Sequence, residues 1–215
     1  MIPDGAAAAD SSARGASASA PILVNAGCGP KGGGQVPAMF DSWRQLRVDV
    51  DQGVDPDVIA DVTDLSAIPS GFADAVWTAH CVEHLYLHQV PQALSEFRRI
   101  LKDDGFLCLI VPDLQTIANY IVNDKLDEVI YESPAGPITA HDVLFGFGQA
   151  VAQGHTAMAH RCGFAPTLLL RHLTEAAFPE IVLRRRPNLE LAAVARRTPS
   201  ADEATRERLL ADLAL

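Results

Sequence analysis

A chain of 215 residues, 48% of them hydrophobic, is long enough for one sizeable core and short for two. Its formal net charge of -10 argues against a protein that grips phosphate backbones, which takes clustered lysine and arginine. Its apolar runs are short, far below the roughly 20 residues that cross a bilayer, so neither nucleic acid nor membrane is an expected partner.

Residues 1–20 are nearly all Ala, Ser, Gly and Asp with a lone Arg14. No basic segment precedes an apolar core, so this is no secretory signal; with almost nothing to bury it reads as a disordered tail. The first strand is Ile22 to Ala26. It runs straight into Gly27-Cys28-Gly29-Pro30-Lys31-Gly32-Gly33-Gly34. A glycine loop after a strand exposes backbone N–H groups with no Cβ in front of them, so a ligand can lie on the main chain. Pro37 leaves room for only a short or irregular helix.

Leu46 to Asp51 is a second strand ending in acids, Val58 to Ala60 a third and Ala75 to Trp77 a fourth, with Thr78-Ala79-His80 directly after it. Val90, Leu94, Phe97 and Leu101 recur at helical spacing, with Arg98, Arg99 and Lys102 toward the end and Asp104-Gly105 as the stop. Phe106 to Val111 is continuously apolar, as a central parallel strand covered on both faces requires.

Residues 113–160 read as an insertion capping the sheet, with Leu114, Ile117 and Ile121 on one helix and a break at Ser133 to Pro137. Its Tyr120, Tyr131, Phe145 and Phe147 suit an acceptor pocket and a plain core equally. Pro166 to Phe178 reads as a helix. A closing hairpin pairs Ile181 to Leu183 with Leu189 to Ala195, joined through Arg184-Arg185-Arg186-Pro187-Asn188, whose arginines read as a solvated sheet edge. Residues 199–215 suit a short, marginal helix, which leaves 21–198 as the domain proper. Strands alternating with helices predict an α/β, doubly wound, mostly parallel sheet with its ligand outside the carboxyl ends of the strands.

The string Gly27-Cys28-Gly29-Pro30-Lys31-Gly32 fits a dinucleotide fingerprint, and Asp49 follows at the spacing of a ribose-binding acid. That fingerprint needs a helix to open at once, where this chain has Gly33, Gly34 and Pro37. Asp49 can accept from both hydroxyls of a ribose. Asp51 competes for that role, although Gln52-Gly53 after it looks like a turn. Asp61 can accept from an adenine amino group, or serve as a helix N-cap or in an Asx turn.

His80, His84 and His88 stand four residues apart, but a metal would need them on one unbroken helix with a carboxylate pattern, so none is expected. Cys28, Cys81, Cys108 and Cys162 form no C-x-x-C pair and read as reduced thiols of a cytoplasmic protein.

Taken together, Val24 to Gly29, Asp49, Asp61-Val62-Thr63-Asp64-Leu65, Phe72 to Val76, Val82-Glu83-His84-Leu85 and Leu94 to Gly105 resemble class I S-adenosylmethionine-dependent methyltransferases of the bacterial GCG…EHL type. Met158 to Phe164 and the closing hairpin are similar to that family too. The resemblance implies a Rossmann-like seven-stranded sheet with an antiparallel C-terminal hairpin strand. It implies that the main chain of Ala26, Gly27, Cys28 and Gly29 lies under the methionine end of S-adenosylmethionine. Asp49 would take the ribose, Asp61 and Val62 the adenine, and Ala79 and His80 the far side of the cofactor.

The implied reaction is methyl transfer to a small-molecule acceptor, with His84 first among candidates for a general base and His155 and His160 after it. Position alone makes His84 equally a helix-start residue. Asn25, where the family more often has an acid, and Pro30 favour a second reading, a protein that keeps the fold and has lost turnover. An NAD(P)-dependent oxidoreductase is the third.

Overall fold

The computed structural model describes residues 20–32 and 36–213. The expected tail therefore lies outside the described residues, apart from Ala20. Strands β1 (Ile22–Ala26), β2 (Arg44–Asp49), β3 (Val58–Ile59) and β4 (Ala73–Ala79) come first, followed by helix α1 (Val90–Ile100) and strand β5 (Leu101–Pro112). Helix α2 (Leu114–Val122), the hairpin β6 (Val129–Ser133) and β7 (Gly136–Thr139), then α3 (Ala140–Phe145) and α4 (Gly148–Ala152) fill the next stretch. Helix α5 (Pro166–Glu175), strands β8 (Glu180–Arg186) and β9 (Glu190–Arg196) and helix α6 (Glu203–Asp212) complete the chain.

The main sheet has seven strands in the order β3-β2-β1-β4-β5-β9-β8. Strands β1 to β5 are mutually parallel, and β9 runs antiparallel between β5 and β8. Strand order reverses between β1 and β4, where a crevice for a ligand opens in such sheets.

Side-chain alternation along the strands builds two cores. Val24, Val48, Val76, Leu107 and Leu109 face one side, where Leu94 and Phe97 of α1 and Leu169 and Leu173 of α5 cover them. Leu23, Trp77, Phe106, Cys108 and Ile110 face the other, under Phe40 and Leu210 of α6. A strand buried on both faces has no position for a polar side chain, which explains the unbroken apolar run in β5.

Three expectations need correction. Helix α1 stops at Ile100, not at Asp104-Gly105: Leu101 is already extended and pairs with Ala73. The residues from Leu101 to Gly105 lie in β5, held to β4 by the Lys102 ammonium on Asp74 at 2.7 Å. The arginine run is the sheet edge expected of it, but it lies inside strand β8, so the hairpin turns at Pro187-Asn188-Leu189 and not at the arginines. Thr78 is inside β4 and buried, so it does not follow the strand.

Between β5 and α5 the chain packs a small cluster around Ile117, Ile138 and Val143, joined by Leu189 from the turn between β8 and β9. Tyr120, Tyr131 and Phe147 lie against that cluster, while Phe145 is exposed. Asp113 ties this region to the sheet. It caps α2 at the Gln115 amide (3.0 Å) and accepts from Thr116 Oγ1 (2.7 Å) and from Arg185 Nε on β8 (2.8 Å).

Candidate active site

The glycine loop folds back on the neighbouring strand. Gly27 and Gly29 have φ of 70° and 57°, in the left-handed region, and the amides of Gly27 and Cys28 both donate to the Val48 carbonyl, at 2.9 and 3.1 Å. The Gly29 amide donates to Asp49 Oδ2 at 2.9 Å, and Arg47 Nη2 donates to the Gly29 carbonyl at 2.6 Å. The first helical turn described after the loop is the 3-10 turn Ala38–Phe40.

Asp49 and Asp51 have separate tasks. Asp49 Oδ1 accepts from the Asp51 amide at 2.9 Å, so each of its oxygens holds one backbone donor and keeps a further lone pair. Asp51 caps the 3-10 turn Gln52–Val54 through the Gly53 amide at 2.7 Å. The Ala60 amide bonds to the Asp49 carbonyl at 3.0 Å, which brings Asp61 alongside. Asp61 forms an Asx turn, one oxygen accepting from the amide and the hydroxyl of Thr63 at 2.8 and 2.7 Å. The Val62 side chain is in the core, so only its main chain faces outward chemistry.

At the end of β4, Ala79 leads to His80, whose φ is 52°. Behind it Cys81 abuts Gly27. Burial and the nearby Glu83 charge push the Cys81 thiol up to about 12, and burial likewise raises Cys28. Thiols held protonated in this way are not nucleophiles.

Glu83 is fully buried, and its carboxylate is ringed by histidines. His80 Nδ1 lies 3.4 Å from Glu83 Oε1, with His80 Nε2 at 3.2 Å from Glu190 Oε1. Burial works against charge on His80, but the Glu190 and Glu83 carboxylates outweigh it and raise its pKa to about 10. Burial likewise opposes charge on Glu83, and His80 reverses that, holding the carboxyl below its ordinary value. His160 Nε2 stands 3.9 Å from Glu83 Oε1, and burial lowers the pKa of His160. His84 Nδ1 pairs with the Ala159 carbonyl at 3.2 Å, and its ring meets His160 edge-on at 4.9 Å.

Residues 24–109 match the family model described as a methyltransferase domain. Over those residues the chain carries a methyltransferase domain. Two solved structures share the fold. A SAM-dependent methyltransferase from Archaeoglobus fulgidus is 13% identical, with 82% of this chain and 86% of that chain covered and a TM-score of 0.53. A possible histamine N-methyltransferase from Thermotoga maritima is 14% identical, with 83% of each chain covered and a TM-score of 0.54.

Among curated proteins, the cytochrome P450 monooxygenase ALT8 of Alternaria alternata is 28% identical over 137 residues. Those residues are 64% of this chain and 20% of that protein, so the match spans about a fifth of the relative's length. Among the described residues, no helix is long and apolar enough to cross a membrane.

Within the methyltransferase domain the structure gathers the glycine loop, Asp49, Asp61 and the 79–84 segment at the carboxyl ends of β1, β2, β3 and β4. Glu83 is the residue that sequence reasoning passed over as a functional group. Its signal was its place between two histidines, and its burial gives that place meaning. His155 has its backbone amide on the Ala150 carbonyl and precedes the 3-10 turn Thr156–Met158, and it is not one of the residues grouped with Glu83.

Proposed function

We propose that the methyltransferase domain seats S-adenosylmethionine on the glycine loop and passes its methyl group to a nucleophilic atom of a small molecule. The observation that carries this reading is the Asp49 carboxylate, which holds the loop through Gly29 and still has a lone pair on each oxygen for a ribose. The main chain of Ala26, Gly27, Cys28 and Gly29 would then lie against the methionine end. Asp61 and Val62 would meet the adenine, and Ala79 and His80 would line the far side.

Methyl transfer is an in-line displacement, so most of the work is holding two reactants in register. The segment that follows α4 meets the site through the Arg161 and Cys162 amides, which donate to the Glu83 carbonyl at 2.9 and 3.1 Å. The net charge of -10 is consistent with an acceptor that is not a nucleic acid. Four free cysteines fit a reducing compartment such as the cytoplasm.

A thermal-shift comparison tests the reading, because a ligand of the folded state raises its apparent stability. S-adenosylhomocysteine should raise Tm where NAD does not. Incubation of S-adenosylmethionine with pooled small metabolites should then yield S-adenosylhomocysteine. Stabilisation without turnover across such pools would favour a binding protein that has lost catalysis.

A further inference from the structure

We propose that Glu83, His84 and His160 bind a divalent first-row metal ion such as zinc. The starting point is a carboxylate in the wrong place. Glu83 is 0% exposed, and neither carboxylate oxygen has a hydrogen-bond partner. A buried charge is stabilised only when it is paired and its lone pairs are occupied. His80 faces one oxygen at 3.4 Å but lies between two carboxylates, and so is shared with Glu190.

The donor geometry fits a cation. One oxygen of Glu83 and one ring nitrogen each of His84 and His160 lie within 4.8 Å of one another. Zinc–ligand bonds of roughly 2.0–2.2 Å place neighbouring donors about 3.4 Å apart, so small side-chain rotations close the set. The second ring nitrogen of His84 carries the independent argument, because His84 turns Nδ1 to the Ala159 carbonyl. A histidine that donates one N–H to a carbonyl presents the other nitrogen as a lone pair, which is how metal-ligating histidines are oriented.

Two imidazoles and one carboxylate suit zinc, iron, cobalt or nickel better than calcium or magnesium, which prefer oxygen cages. The main chain fixes the assembly, since Arg161 and Cys162 donate to the Glu83 carbonyl and Arg161 Nη1 donates to the His84 carbonyl at 3.3 Å. In the sequence His160 is far from the other two ligands, so the spacing of His80, His84 and His88 does not bring it into view. With Nδ1 on Ala159 and the other nitrogen on an ion, His84 has no lone pair left for the general-base role expected of it.

The test uses the full chain stripped with chelator and titrated with Co2+ alone, followed by displacement with Zn2+. The expected result is visible ligand-field absorption that saturates at one ion per chain and is abolished by Zn2+. Loss of an outer-shell partner typically costs 10–100-fold in affinity, so His160→Gln and Glu83→Gln should each weaken Zn2+ binding by at least about 100-fold. His160→Gln is the safer variant, because it leaves the His80–Glu83 pair in place. Its S-adenosylhomocysteine thermal shift should match wild type. A cobalt titration without ligand-field bands, or a His160→Gln affinity within about twofold of wild type, overturns the proposal. The titration needs no cofactor, so its failure would leave the methyl-transfer reading untouched.

Discussion

Gly27 and Cys81 meet so closely that a Cβ on the glycine would lie 2.5 Å from the Cys81 sulfur and 2.6 Å from its Cβ. Gly27 also has φ of 70°. Gly29 shares the left-handed backbone, with φ of 57°, but a Cβ there would meet nothing within 4 Å. The two glycines therefore separate conformational strain from steric exclusion. Gly29→Ala should cost about 1 kcal/mol, the left-handed penalty alone. Gly27→Ala adds overpacking and should cost about 2–4 kcal/mol in all. Urea unfolding of the two variants checks this, and equal losses would contradict the contact with Cys81.

Asp49 joins loop order to cofactor recognition, and its variants should show both. Asp49→Ala removes the acceptor for the Gly29 and Asp51 amides as well as any ribose contact. Hydrogen bonds to a charged group contribute roughly 1.5–3 kcal/mol each, so S-adenosylhomocysteine affinity should fall by about 100-fold or more. Asp51→Ala, which loses only the cap on Gly53, should leave affinity within about threefold. Calorimetric titration of both variants decides between the two acids. A larger loss at Asp51 would reverse the assignment.

The His80–Glu83 pair predicts an alkaline limb in stability. Burial opposes charge on His80, yet Glu190 and Glu83 raise its pKa to about 10, above the ordinary 6.5. A group whose pKa is raised on folding contributes stability that is complete below about pH 6.5 and fades as pH climbs through about 10. Glu83 is held below its ordinary value, so its own contribution is lost on the acid side. In metal-free protein, wild type should exceed His80→Gln in Tm most clearly near pH 6, with the gap narrowing toward pH 10. A gap that is constant over that range would mean His80 is not charged in the folded state.

What the sequence made legible followed from burial patterns with one reading. The run Phe106 to Val111 is apolar at every position, and only a strand covered on both faces explains so short a run beside a glycine turn. Leu101 misled because its side chain is buried either way, at the next helical turn after Phe97 or at the start of β5. Helical periodicity extends through a residue that packs for another reason. The arginines of β8 were legible as a solvated sheet edge, because an edge strand tolerates charge, but the same composition hid where the strand ends and the turn begins. The approach of His160 to Glu83 was beyond reach, since it depends on how the chain from β5 to α5 returns to the sheet. No local pattern encodes that return.

Asp113 offers a test of how that returning segment is anchored. The side chain is 1% exposed and accepts three bonds, from the Gln115 amide, Thr116 Oγ1 and Arg185 Nε. Burial opposes its charge, but the bonds from Thr116 and Arg185 prevail and hold the carboxyl below its ordinary value. Asp113→Ala loses a helix cap and two further bonds and should destabilise the fold by about 2–3 kcal/mol. Arg185 is more than half exposed and can turn to water, so its lost partner adds little beyond that. Asp113→Asn keeps an acceptor for the Gln115 amide and should cost less. Because the pKa is depressed, the stabilisation is present above the ordinary carboxyl value and fades as pH falls through the folded one. Wild type should therefore lose its advantage over Asp113→Asn below about pH 4, in urea midpoints measured across the acid range. An advantage that persists unchanged to pH 2 would show that Asp113 carries no charge in the fold, and that the anchor rests on packing alone.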